Sequence, residues 1–277
     1  MRWGILLLAL LAGCVDLRTV RDFADESARF PAYTDLTVRF RDTFRREEPY
    51  LWGEALDTAR VHDRNRQAAC RDLLEIHRTL VAYLRSLSAL AGEGAFDVSE
   101  GLGEAASGIR AHAGYGVEAR HAAACASLAR VAARRTATAR QVRAVRDLVR
   151  EADPSLQQVL EGMAAAVACI RRANENERDT VAGLLSVEIP YADAAQERLL
   201  AALAKAHLQA RLEEYRAADA MGGKAERGIR KIQEGHRMLA EGSGRLSRTE
   251  AKAWLAQCTQ DLKALRSGLR GLGRNSE

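Results

Sequence analysis

Few residues of the chain have the type and spacing that chemistry requires. Glu118-Ala119-Arg120-His121 is a Glu-x-x-His. On a helix, residues three apart share a face, so a carboxylate and an imidazole at this spacing can hold one metal ion. His77 falls on the apolar seam of another helical segment that could be its neighbour. His77, Glu118 and His121 therefore define one candidate metal- or ligand-binding region. A bundle that holds two metals uses the motif twice and adds two further glutamates. The chain has no second Glu-x-x-His. The plainer expectation is an incidental pair, with His121 satisfied at a helix seam.

The cysteines are the next candidates. Cys70, Cys125, Cys169 and Cys258 are far apart in sequence, and there is no C-x-x-C. Four cysteines in an oxidising compartment permit two disulfides, while the position of Cys70 and Cys258 on apolar seams suits buried thiols. Both readings stand. Gly101-Leu102-Gly103-Glu104-Ala105-Ala106 has the loose form of a dinucleotide fingerprint, but no strand precedes it. Gly222-Gly223-Lys224 lacks the rest of a phosphate loop. No arrangement of Ser, His and Asp selects itself for nucleophilic or acid–base catalysis. The sequence predicts no catalytic residue, no metal site and no cofactor.

Two polar residues interrupt an apolar stripe in Arg171-Arg172-Ala173-Asn174-Glu175-Asn176-Glu177-Arg178. A polar seam residue can fix helix register at some cost in stability. The alternative is an exposed recognition segment.

The elements that carry these residues read as helices throughout. Val20, Phe23, Ser27, Phe30, Tyr33, Thr37, Phe40 and Phe44 recur in steps of three and four, on one face of a segment that Pro31 kinks or splits. Cys70, Leu73, His77, Leu80, Leu84, Leu87 and Ala91 form a heptad seam in a helix over 54–91. Residues 92–116 are glycine-rich and predict a connector with a short helix near 99–112. A helix over 117–150 is expected to close at Asp153-Pro154, with the proline opening the next helix, which Pro190 ends. Another helix starts near Ala192, with Leu200, Leu203, His207 and Ala210 on its seam and a possible break at Gly222-Gly223. Ser247-x-x-Glu250 has the form of a capping box before a helix carrying Leu255, Cys258, Leu262 and Leu265. Long patterned helices with short breaks predict an all-α fold, an elongated antiparallel bundle.

The leader has its own logic. Met1-Arg2-Trp3 precedes a short apolar run and then Leu11-Ala12-Gly13-Cys14. The run is too short to span a bilayer, which needs about 20 apolar residues, and has the layout of a secretory signal. Leu11-Ala12-Gly13-Cys14 resembles the lipobox of bacterial lipoproteins. The resemblance implies lipid on the Cys14 sulfur and cleavage before it. Residues 1–13 would then be a signal peptide and 14–277 one helical-bundle domain. Val15, rather than Asp, follows the cysteine, which by the same resemblance favours the outer membrane over the inner. The rest of the chain is similar to uncharacterised helical lipoproteins, a likeness that attaches no activity.

Composition is that of a foldable globular protein, with 47% hydrophobic and 29% charged residues. The net charge of +5 comes from interspersed Arg and Glu rather than a basic patch, which argues against nucleic acid as partner. Anchor, bundle and missing chemistry lead to the expectation of a non-enzymatic, periplasm-facing structural or interaction protein. Its partners would be the membrane, through Cys14, and an envelope protein. A ligand- or metal-binding bundle centred on His77, Glu118 and His121 is the alternative.

Overall fold

A computed structural model describes residues 17–92, 102–133, 141–192, 197–241 and 248–274. The leader with Cys14, the Gly242-Ser243-Gly244 turn and the Ser247 cap lie outside the described residues. Within them the protein is an all-α bundle of nine helices. In chain order these are α1 (Leu17–Ala28), α2 (Ala32–Arg41), α3 (Thr43–Glu47), α4 (Gly53–Ala91), α5 (Leu102–Ser107), α6 (Ala119–Ala133), α7 (Gln141–Glu188), α8 (Arg198–Glu241) and α9 (Arg248–Arg274).

The first segment is split at Pro31 as its ring requires, yet the seam survives the break. Val20, Phe23, Phe30, Tyr33 and Phe40 are all buried. This segment runs antiparallel to α4: Ser88 pairs with Asp25, His77 with Thr34, and Gln67 with the Arg41 carbonyl. It also runs antiparallel to α8. The Phe23 ring faces Gly235 and the Phe30 ring faces Gly228, so two phenylalanines seven residues apart fill two glycine gaps seven residues apart.

α7 and α8 are 48 and 44 residues long and form an antiparallel hairpin that is the spine of the molecule. At 1.5 Å per residue each spans roughly 65–70 Å. Asp153 meets His236, Gln157 meets Gln233, Asn174 meets Tyr215, and Glu177 meets Arg211. α4 and α6 pack on α7, and α9 closes the bundle against α1 and α8.

Four expectations change. α7 runs without interruption through Pro154, which sits in its interior rather than opening a helix. Ala152 and Leu156 on either side are fully buried, so a break there would rotate one of them out of the core. Asp153 does not cap a helix; its carboxylate is used across the bundle. α8 likewise runs through Gly222-Gly223, because a Cβ at 222 would come within 2.7 Å of the Arg171 side chain, and the gap is filled from α7. The connector contains a helix shorter than expected, Leu102–Ser107.

The fourth change concerns the start of α8. Leu200, Leu203, His207 and Ala210, expected on a buried seam, are exposed. The inward residue there is Ala201, while Leu199, Leu200 and Leu203 are 75%, 56% and 61% exposed.

Candidate functional site

The structure gives Glu118 and His121 separate partners rather than a shared one. Glu118 is exposed and its carboxylate bonds Arg120 at 2.9 Å. The Glu118 backbone N–H donates to His121 Nδ1 at 3.1 Å, so the imidazole caps the start of α6. The ring lies against Gly162, where a Cβ would come within 2.8 Å of it. His77 is used elsewhere: its Nδ1 pairs with Thr34 Oγ1 at 2.8 Å, and its ring lies 5.6 Å from that of Tyr33. Burial pushes His77 down to about 4 and lowers His121 as well. Among the described residues no group of three or more His, Cys, Asp or Glu is placed to hold a metal ion. His121 nevertheless keeps one enclosed ring nitrogen, Nε2, without a hydrogen-bond partner.

The four described cysteines are free thiols. Burial pushes Cys70 and Cys125 up to about 12 and Cys258 up to about 11, so none of the three supplies a thiolate near neutral pH.

Asn174 and Glu177 form part of a cross-helix lock, the first of the two readings of that stretch. Glu177 is 1% exposed. Arg46 donates to both its oxygens, at 2.9 and 2.7 Å, and Tyr215 O–H donates at 3.2 Å. Arg211 approaches at 3.4 Å. Asn174 accepts from Arg39 and donates to the Tyr215 carbonyl. A second buried network was invisible in the sequence. His236, with no exposed surface, takes the Tyr83 hydroxyl on Nε2 at 2.6 Å and gives Nδ1–H to Asp153 at 2.8 Å. The order carboxylate, imidazole, hydroxyl is that of a nucleophilic triad. Tyr83 is also fully buried, and burial raises its pKa well above the ordinary value. With Tyr83 and His236 enclosed, the chain of bonds ties α4, α7 and α8 together.

Two surfaces remain that could meet another molecule. The first is a cleft of about 1000 Å³ between α4, α7 and the loop before α6. That loop is pinned where the His112 N–H bonds the Val117 carbonyl at 2.7 Å and His112 Nε2 meets Asp72 at 2.6 Å. Gly116, at φ +83°, lets the loop approach α7, where a Cβ would come within 2.7 Å of the Ala165 backbone. The floor holds Phe40, Glu47 and Arg66, with the Arg66 guanidinium 5.4 Å from the Phe40 ring centroid. Burial raises the Glu47 pKa, and Arg66 pulls it back only in part.

The second is the free end of the α7–α8 hairpin. Toward the start of α8 the Tyr50 ring stacks on His207, and the Tyr50 hydroxyl pairs with His207 Nε2. Beyond it α8 continues for about two and a half turns. Val187 and Tyr191 beside the end of α7 are 60% and 81% exposed, and Trp52, two residues past Tyr50, is 66% exposed. With Leu199, Leu200 and Leu203 they form an apolar end on a molecule whose other large apolar side chains are mostly covered. The sequence offered Leu200 and Leu203 as a seam, but not the fact that both are exposed among the described residues.

No protein-family model, no curated protein and no solved structure matches the chain. Among the described residues, no helix is long and apolar enough to cross a membrane.

Proposed function

We propose that the protein is a lipid-anchored envelope lipoprotein with a non-enzymatic role, holding the apolar end of its α7–α8 hairpin out to a helical partner protein. The observation that carries this reading is the exposure, among the described residues, of the α8 seam beyond its contact with Tyr50. Leu200, Leu203, His207 and Ala210 follow the spacing that takes a partner helix, and all four are exposed. A contiguous exposed apolar patch of this kind marks an interaction surface more often than it marks idle surface.

The position of the anchor supports a protein partner over the anchoring membrane. α1 begins at Leu17, three residues after Cys14, and its Phe23 packs at Gly235 near the far end of α8. From Gly235 to Leu203 is 32 residues of helix, or about 48 Å. Lipid on Cys14 would hold one end at the outer membrane and present the other end deep in the periplasm. Charge points the same way. Glu188, Glu197 and Arg198 flank the leucines and leave the end slightly acidic, whereas binding to anionic lipid favours basic residues.

In-cell crosslinking of the tagged protein with mass spectrometry tests both parts. A partner that is captured by the wild type and lost in both Cys14→Ser and Leu203→Glu is the expected result. Capture that survives Leu203→Glu overturns the role of the hairpin end. Wild-type protein that takes up no labelled fatty acid overturns the anchor.

A further inference from the structure

The floor of the cleft holds two opposite charges that do not complete each other. Arg66 Nη2 stands 4.0 Å from Glu47 Oε1, and Arg66 Nη1 stands 3.5 Å from Asp63 Oδ1. A charge-assisted N–H···O bond is about 2.7–2.9 Å long. Arg66 Nη1 and Asp63 Oδ1 are both enclosed and have no hydrogen-bond partner. Arg66 is 7% exposed, and among the described residues its charge is met by these two carboxylates and the Phe40 ring. Glu177, on the same floor, is the internal contrast, because its carboxylate is bonded on both oxygens by Arg46. One ion pair in the cleft is closed and the other is open.

The enclosed Nη1 faces Asp63, so a ligand in the cleft would meet the open pair at Arg66 Nη2 and Glu47 Oε1, and that pair gains from any ligand that supplies the missing partners. The guanidinium needs an anion and the carboxylate needs a cation. Their 4.0 Å separation fits a ligand that carries both on one carbon. The walls suit the remainder of such a molecule. Asn65 on α4 and Asn176 on α7 each offer an amide donor and acceptor, with the Thr58 and Thr180 hydroxyls beside them. The cleft volume lies within the range of small-molecule sites.

We propose that this cleft binds a free amino acid, with its carboxylate on Arg66, its ammonium on Glu47, and its side chain between Asn65 and Asn176. The site is separate from the hairpin end, so its failure leaves the interaction reading standing. The test is calorimetric titration of the purified protein with the free L-amino acids one at a time. The best binder is then compared with its N-acetyl derivative and its methyl ester. At least one amino acid should bind with Kd below about 1 mM. Blocking either charged group should weaken binding by about tenfold or more. Arg66→Gln should remove binding. Asn176→Ala, at an exposed position on α7, should weaken it severalfold with helicity unchanged, which keeps the test intact should Arg66→Gln not fold. No binding by any amino acid at about 10 mM overturns the proposal. So do equal binding of the blocked derivatives, and acetate binding as tightly as the amino acid.

Discussion

Gly228→Ala separates a tertiary effect from a local one. An ideal Cβ at 228 would lie 2.3 Å from both Cε1 and Cζ of Phe30, more than 1 Å inside normal carbon–carbon contact. Phe30 is 5% exposed and belongs to the main core, so its ring has no open space to move into. Helix propensity alone favours alanine by about 0.8–1 kcal/mol. Overpacking a core costs about 1–3 kcal/mol, and so deep an overlap belongs at the upper end. The net expectation is a loss of roughly 1–2 kcal/mol, read as a lower urea midpoint at unchanged slope. Gly223→Ala is the control. It sits five residues earlier on α8, its Cβ would meet only the end of Arg227 at 3.5 Å, and it should gain up to about 1 kcal/mol. Phe30→Leu should cost less in the Gly228→Ala background than alone, with a coupling of about 1 kcal/mol. A Gly228→Ala protein as stable as Gly223→Ala would refute the seating of Phe30 in the glycine gap.

Three further outcomes follow from the packing and the buried groups. Glu177→Ala leaves Arg46 and Arg211 facing each other without their carboxylate and should cost about 3–5 kcal/mol in urea unfolding; a loss below about 1 kcal/mol would mean water already screens the pair. Burial lowers the pKa values of His77, His121 and His236. The unfolded chain therefore takes up protons that the folded chain refuses, and stability declines as pH falls below about 6.5. For His77, with a folded value of about 4, the decline continues to that pH and amounts to about 3 kcal/mol. Stability that is flat between pH 7 and 5, or a slope unaltered by His77→Gln, would contradict this. Pro154→Ala restores a backbone donor in the interior of a continuous helix and should raise stability by about 1–3 kcal/mol in thermal melts; no change would indicate that α7 is broken there.

Helical periodicity in the sequence was enough to determine the all-α class, the heptad seam of α4 and the inward face of the first segment, because burial of a 3.6-period stripe is a local signal. Phe23, Phe30, Leu73 and Leu84 are core residues on that ground alone. Boundaries were less legible. Pro154 and Gly222-Gly223 read as breaks by local propensity, and packing from α4 and α7 overrode them. Asp153 read as a cap, yet His236 claims its carboxylate from a residue 83 positions away. Glu118-x-x-His121 looked like ligand spacing, but spacing does not say where a carboxylate points, and Arg120 holds Glu118 in solvent. Only the tertiary structure could leave the Leu200–Leu203 seam uncovered or set Arg66 and Glu47 at the floor of one cleft. Periodicity specifies which face of a helix is apolar, whereas the presence of a neighbour to cover that face depends on how all the helices are arranged.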